Sequence, residues 1–325
     1  MADPIRADDT LTGQGQQRSG TRGGASRVPK VRDGRVVGGM VNKRPIVVYF
    51  DTNVVRDLAE RRGSNASKKV GIILGLNKKD KIAVAPSFEV LYEVLSSPDL
   101  SGADRIRNGQ FYDSIVNWKY ALKASDWMIH DDIVSLARNG GPSSPYCAID
   151  EEQSGFIKSL RSGNSILPGD DWEQVVKEAH CQNKQFVNNV FNNYVRELDE
   201  NSKTELRNCP RKTWEEWWTY GGLAEIIASA LDRTGDVVGK QSLLVLPSVR
   251  AAVGYILHNW LQQIVNKAEL RPTTHHDFRN AVLAGGVGKI VTGDKKLRNA
   301  INHVPGLNVK AWTLDGFIRE VAFSR

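Results

Sequence analysis

Cysteine and long apolar runs are both scarce in this sequence. The three cysteines, Cys147, Cys181 and Cys209, lie far apart and form no Cys-x-x-Cys pair. Their spacing argues against a disulfide framework or a zinc ribbon and favours reduced structural thiols. No apolar run approaches the roughly 20 residues that a membrane-spanning helix requires. The composition, 40% hydrophobic and 25% charged, is typical of a globular protein, and no membrane partner is expected.

The first 44 residues lack a hydrophobic period and the apolar core of a secretory signal. We therefore expect a cytoplasmic protein with a disordered tail at 1–44. Nine Lys and Arg against four Asp give this tail +5 of the total charge of +7. Two interpretations of the tail remain open: a loose arm that binds phosphates, or a solvated extension.

One domain is expected over residues 45–325. "IVVYF" from Ile46 and "KIAVA" from Lys81 are apolar runs that predict buried strands, each followed by an amphipathic helical pattern. After residue 273, "KIVTGD" and "LNVKAWT" predict two more strands between helices. This alternation predicts an α/β fold with a central parallel sheet.

A mainly helical insertion at about 99–242 interrupts the alternation. Helical periods begin at "NWKYALKASDW", "WEQVVKEAH" and "WEEWWTYGG", and a loop rich in Gly, Pro and Ser separates the first two at about 139–169. "SLLVLPS", from Ser242, is consistent with a further strand. "HHDFRNAVLAGG" predicts a helix that stops at Gly285 and Gly286.

Two aspartates come at the ends of predicted strands. Asp51 follows "IVVYF", and Asp294 closes "KIVTGD". If these strands are adjacent and parallel, both carboxylates lie at the carboxyl edge of the sheet, where open α/β sheets bind ligands. Each aspartate also has a simpler interpretation, as the N-cap of the helix that follows.

Two helical acids are expected at the same edge. Asp277 shares a helix face with Ala281 and Ala284, whose small side chains allow a close approach to the sheet. In "PSFEVLYEVL", Glu93 interrupts the apolar stripe and is favoured, whereas Glu89 is assigned to the helix dipole. Salt bridges and dipole effects explain each acid alone, but they give no reason for all to face one edge.

Four carboxylates at one edge repel one another unless a cation lies between them. Mg²⁺ and Mn²⁺ are the preferred candidates, because both bind carboxylates and water. A pair of such ions can generate hydroxide and stabilise a phosphoryl displacement. The pattern therefore predicts a catalytic metal site for phosphodiester hydrolysis, with Lys295 and Lys296 placed to contact the scissile phosphate. Its candidate metal ligands are Asp51, Glu93, Asp277 and Asp294.

The order of these residues resembles the PIN-domain ribonucleases, a family that includes the toxins of many toxin–antitoxin pairs. The resemblance rests on "DTN" at Asp51–Asn53, Glu93 in "VLYEVL", Asp277 in "HDFRNAVLA", and Thr292 and Asp294 in "IVTGDKKL". It covers about 45–97 and 273–321. It implies a three-layer α/β/α sandwich, from which the long helical insertion is a departure.

The resemblance also implies a chemistry and a set of partners. The four acids would hold Mg²⁺ or Mn²⁺ in an endoribonuclease, and Asn53 and Thr292 would orient the carboxylates. The implied partners are an RNA substrate, an antitoxin or other inhibitory protein, and a second copy of the chain.

Two other functions remain open. A non-catalytic RNA- or protein-binding module would keep the fold without the chemistry, although all four acids are present. A haloacid-dehalogenase-type phosphatase also carries a nucleophilic Asp after its first strand. It needs a second Asp where Asn53 stands, and its later Gly-Asp-x-x-x-Asp pattern is broken at Arg298.

Two aromatic features near these motifs favour structural roles. His275 and His276 precede Asp277, and a capping or solvent-exposed role is favoured over metal ligation. In "WEEWW", Trp214, Trp217 and Trp218 share a helix face, which favours core packing or an interface over base stacking.

Overall fold

The computed structural model describes residues 44–63, 65–96, 100–163, 169–219, 222–232, 242–267, 269–271 and 273–323. These residues belong to one compact unit, Lys43–Arg325. The tail predicted to be disordered lies, except for Arg44, outside the described residues. Of the described helices, none combines the length and the apolar character needed to cross a membrane.

The described chain forms an α/β structure with four strands and long helical segments. The strands are β1 (Ile46–Phe50), β2 (Ile82–Ala85), β3 (Lys289–Val291) and β4 (Lys310–Trp312). The helices before the third strand are α1 (Thr52–Ala59), α2 (Ala66–Lys78), α3 (Phe88–Leu95), α4 (Gly102–Ile115), α5 (Ser125–Asn139), α6 (Glu151–Arg161), α7 (Gly169–Val187), α8 (Asn193–Glu197), α9 (Glu200–Asn208), α10 (Pro210–Trp217), α11 (Leu223–Ala230), α12 (Pro247–Asn266) and α13 (Thr274–Val287). The last two are α14 (Lys295–Asn302) and α15 (Leu314–Phe323).

The sheet is parallel throughout, in the order β2-β1-β3-β4. Tyr49 pairs with Ile290, and Phe50 pairs with Val291, so β1 and β3 end side by side. The chain places β2 on one side of β1 and β3 on the other. The point where the strand order reverses therefore lies between β1 and β3, the position at which open α/β sheets form a ligand crevice.

The sheet is covered closely enough to bury its central strands. All four residues of β2 and the last three of β1 are buried, as expected of parallel strands protected on both faces. The helix α13 packs against β1 and β3, and α12 runs along α13. The hydroxyl of Tyr49 donates to Oδ1 of Asn280 at 2.5 Å, which ties β1 to α13 one turn beyond Asp277.

The predicted loop at 139–169 is wrong in its middle, because α6 lies within it. The N-cap is Asp150, whose carboxylate accepts from the Gln153 N–H at 2.7 Å. The Gln153 side chain accepts from the Asp150 N–H at 3.3 Å and completes a capping box. This signal is readable in the sequence, but the surrounding glycines and prolines obscured it.

Two elements predicted at the borders of the insertion are also wrong. "SLLVLPS" forms a 3₁₀ turn at Leu243–Val245 instead of a strand, and Pro247 then occupies the first position of α12. "NWKYALKASDW" is not continuously helical, because α5 begins only at Ser125. The residues before it include a 3₁₀ turn, and the Leu122 N–H donates to the Pro86 carbonyl at 2.8 Å.

The glycines predicted to end α13 lie inside it. This helix continues to Val287 and ends at Gly288, which adopts φ +76°. Gly285 instead permits close packing, because a Cβ there would lie 2.5 Å from the Pro247 carbonyl oxygen. A Cβ at Gly286 would meet the Met128 sulfur. Both glycines therefore bring α13 against α5 and α12.

Candidate active site

Asp51 lies at the end of β1 and is 1% exposed. It is the N-cap of α1: its Oδ1 accepts from the Val54 N–H at 3.0 Å. Its Oδ2 accepts a hydrogen bond from the Thr292 hydroxyl. Burial raises the pKa of Asp51 to about 6; the Thr292 and Val54 hydrogen bonds oppose this, and the Glu93 charge adds to it. The residue is thus both a cap and a buried charge.

Asp294 lies beside Asp51 because of the register of β1 and β3. It is the N-cap of α14, with Oδ1 accepting from the N–H groups of Lys296 at 2.5 Å and Leu297 at 3.0 Å. Its own N–H donates to the Thr292 hydroxyl oxygen at 2.9 Å. Thr292 therefore contacts both aspartates, through the carboxylate of Asp51 and the backbone N–H of Asp294.

Glu93 approaches the same edge from α3. Its Oε2 accepts from the Thr52 hydroxyl at 2.6 Å and lies 3.5 Å from His276 Nδ1. Glu89, one turn earlier, has different neighbours. Its Oε1 accepts from the N–H and hydroxyl of Ser125, at 3.0 and 2.8 Å, which ties it to the start of α5. Glu93 therefore lies at the candidate site, whereas Glu89 anchors the start of α5.

Asp277 lies in the first turn of α13 and faces the other three carboxylates. Burial, together with the negative charges of Asp294, Asp51 and Glu93, raises its pKa to about 8. A hydrogen bond from the hydroxyl of Tyr255, on α12, acts in the opposite direction. The electrostatic effect of all three other acids on Asp277 places them within electrostatic range of it.

The remaining predicted residues lie at the rim of this cluster. The side chain of Asn53 is exposed, and its effect on Asp51 comes from its backbone N–H. Thr52, and not Asn53, is the neighbour of Asp51 whose side chain contacts another carboxylate, that of Glu93. Lys295 and Lys296 are exposed in the first turn of α14.

The histidines before Asp277 are less exposed than the sequence suggested. His275 is buried and stacks on Phe186 of α7, with ring centroids 4.1 Å apart. Asn183, also on α7, bridges the pair: its Oδ1 lies 2.5 Å from His275 Nδ1, and its Nδ2 lies 3.0 Å from His276 Nε2. Burial lowers the pKa of both rings, that of His275 to about 3. The capping or exposed role is therefore wrong for His275.

Three contributors to the cluster were missed by the sequence analysis. Thr52 follows Asp51 directly and could have been identified as a hydroxyl next to a ligand. Tyr255 and Asn183 come from helices distant in the chain, and nothing in their local patterns connects them to Asp277. Their positions depend on how α7 and α12 pack against α13.

The chemistry of this cluster suits a hard divalent cation. The charges that act on Asp51 and Asp277 as given above are those of other acids. The guanidinium groups of Arg56 and Arg298 donate to the backbone carbonyls of Glu93 and Thr292, at 2.6 and 2.7 Å. Within the described residues, no three His, Cys, Asp or Glu side chains are close enough to ligate one ion together. Mg²⁺ commonly binds through one or two carboxylates and completes its octahedron with water, which this arrangement allows.

No protein-family model, curated protein or solved structure matches the chain.

Proposed function

We propose that this protein is a metal-dependent endoribonuclease that hydrolyses phosphodiester bonds of RNA. The observation that carries the proposal is the mutual electrostatic influence of four acids near the point where the strand order reverses: Asp51, Glu93 and Asp294 all act on Asp277. Burial and mutual repulsion raise the pKa of Asp51 and Asp277. Such an arrangement costs free energy in the absence of a cation, and strain of this kind is typical of functional sites.

The four carboxylates would hold Mg²⁺ or Mn²⁺, which would supply an activated hydroxide and stabilise the charge on the phosphoryl group. The chain's own groups orient the carboxylates. The hydroxyl of Thr292 fixes Asp51, and that of Thr52 fixes Glu93 at 2.6 Å. Lys295 and Lys296, exposed beside Asp294, can attract the phosphate backbone.

The proposal includes three further features that the PIN-domain resemblance implies. They are the three-layer α/β/α arrangement, the toxin or defence role, and an inhibitory partner that covers the acidic edge. If the protein is a toxin, affinity capture from its own host should recover that partner, and the variant with all four acids changed to amides should bind it more weakly. Recovery that is unaffected by these changes would contradict a partner at the acidic edge.

The first test compares wild type with Asp51→Asn on labelled structured RNA, unstructured RNA and single-stranded DNA, with Mg²⁺, Mn²⁺ or EDTA. Asn keeps the N-cap of α1, so the fold should persist. Metal-dependent RNA cleavage by wild type and its loss in Asp51→Asn would support the nuclease. Equal cleavage by both proteins would contradict it.

A matched control comes from the N-cap of α6. Asp150→Asn makes the same chemical change at a helix cap far from the acid cluster in the chain, and it should leave cleavage unchanged. A similar loss of activity in both variants would attribute the effect to capping instead of catalysis.

A further inference from the structure

A cavity of about 490 Å³ opens between α10, α12 and α14, and its walls lead back to the acid cluster. Lys296 lines the cavity two residues after Asp294. Asn259 lines it from α12, and its Nδ2 donates to the carbonyl of Tyr255 at 2.8 Å. Tyr255 in turn is close enough to Asp277 to lower the pKa of that carboxyl. The cavity, called here the α10/α12/α14 pocket, is therefore lined by Lys296, which shares the first turn of α14 with its N-cap Asp294, and by Asn259, one turn along α12 from Tyr255.

Flat rings form part of the wall of the α10/α12/α14 pocket. Trp214 and His258 lie edge to face, with centroids 6.3 Å apart and ring planes at 89°. His258 and His303 are more nearly parallel, at 28° and 6.1 Å. Burial lowers the pKa of His258 to about 4, with a contribution from His303, so this ring is neutral near pH 7. Uncharged aromatic surfaces of this kind bind the faces of nucleobases.

Amide side chains supply the polar groups of the pocket. Asn259, Gln262, Asn266 and Asn299 line it together with Gln263. Gln263 is 4% exposed, and its Nε2 donates to Asn192 Oδ1 at 2.7 Å. Its Oε1 is buried and has no hydrogen-bond donor among the described residues. A buried acceptor without a donor destabilises the protein, so Gln263 is held here by the packing of α12 and not by its hydrogen bonds alone.

Positive charge borders the same pocket. Lys296 is exposed, and the Arg211 side chain is 93% exposed in a surface pair with Glu215. The lining carboxylate of Glu269 is held by Arg196, whose Nε lies 2.8 Å from its Oε1. The exposed pair has little net strength, so Arg211 and Lys296 remain available to a phosphate.

We propose that the α10/α12/α14 pocket binds a nucleobase of single-stranded RNA next to the scissile phosphate. This inference rests on the proposed function, since the acid cluster supplies the reason for an RNA strand at this edge. The volume lies within the range of small-ligand pockets. Aromatic rings can stack on the face of a base, and amide groups can form hydrogen bonds with its edge. The helical insertion would thereby contribute to substrate selection, through Trp214.

The test measures RNA binding without cleavage. Asp51→Asn protein in EDTA is titrated with a short, unstructured, fluorescein-labelled RNA and with an abasic strand of the same length, and anisotropy is recorded. Adding Trp214→Ala should weaken RNA binding about tenfold, the effect of losing one base stack, and should barely change binding of the abasic strand. Asn299→Leu, at an exposed pocket position, should weaken RNA binding without disturbing the core.

Trp127→Ala is the matched control, because Trp127 is 64% exposed and lines a different cavity. It should leave RNA binding unchanged. Equal RNA affinity in all variants, or equal losses for RNA and the abasic strand, would overturn the base site. Pocket-dependent binding by a protein that cleaves no RNA with any metal would contradict the nuclease and still support the pocket.

Discussion

The sheet edge and the pocket beside it are built from opposite kinds of side chain. The edge concentrates four carboxylates, and burial and repulsion raise the pKa of Asp51 and Asp277. The α10/α12/α14 pocket contains aromatic rings and amides, with Arg211 and Lys296 at its border. Under the proposed function, the edge would carry out the chemistry and the pocket would recognise the substrate. Charge at the edge suits a cation and chemistry, whereas uncharged surfaces in the pocket suit recognition of a base.

The largest expected effect comes from removing one charge at the edge. Asp294→Asn keeps the N-cap of α14 but loses a carboxylate, and we expect RNA cleavage to fall about 10³-fold, because metal ions stabilise the transition state by several kcal/mol. Initial rates with saturating Mn²⁺ measure this. Binding of RNA in EDTA should not weaken, because the variant has lost a negative charge that repels phosphate. A large loss of binding with normal cleavage would reverse the roles assigned to edge and pocket.

A pair of matched glutamate variants tests which glutamate of α3 belongs to the acid cluster. Glu93→Gln should lower cleavage about 10²-fold with little change in stability, because it removes a candidate ligand that is only partly buried. Glu89→Gln should leave cleavage nearly unchanged and lower the stability. It removes the negative charge that lies 4.0 Å from Arg279 and holds Ser125 at the start of α5, and it should cost about 1–3 kcal/mol of unfolding free energy.

Cleavage assays and urea unfolding of both variants measure this separation. If Glu89→Gln abolished cleavage in a stably folded protein while Glu93→Gln did not, the fourth acid would be Glu89.

The parallel sheet was predictable because its strands are short apolar runs with strong local patterns. The first two strands begin within one residue of their predicted starts, and the adjacency of β1 and β3 follows the alternation of strands and helices. The acid cluster could also be predicted as a set, because Asp51 and Asp294 follow strands and the register brings strand ends together. The role of each acid remains a prediction.

What could not be predicted depends on contacts between distant segments. Asn183 reaches His276 because α7 packs against α13, and Tyr255 reaches Asp277 because α12 does so. The pocket has the same origin, since α10, α12 and α14 are far apart in the chain. Trp214 illustrates the limit. Its spacing favoured packing, and it does pack partly against the core, but only the fold shows that it also lines a cavity.

Gly285 brings α13 close to α12, and this close packing predicts a change in stability. Gly285→Ala would place a Cβ 2.5 Å from the Pro247 oxygen, where backbone cannot yield easily, and should cost about 1–3 kcal/mol by overpacking. Gly71→Ala, in the exposed interior of α2 with no neighbour within 4 Å, should instead stabilise by about 0.5–1 kcal/mol. Urea unfolding of both variants is the measurement. A stabilised Gly285→Ala protein would mean that α12 and α13 pack less closely.

The last expected effect is a pH dependence that originates in the pocket. Burial and His303 lower the pKa of His258 from 6.5 to about 4, so the unfolded chain binds more protons than the folded chain between these values. Stability contributed by the neutral ring is therefore present above about pH 6.5 and is lost as the pH falls toward about 4. His258→Phe, which keeps a ring, should reduce the loss between about pH 7 and about pH 5 by roughly 1–2 kcal/mol. Urea unfolding at both pH values tests this. An unchanged pH dependence would show that the ring is accessible to protons in the folded protein, which would contradict the uncharged wall required for base stacking.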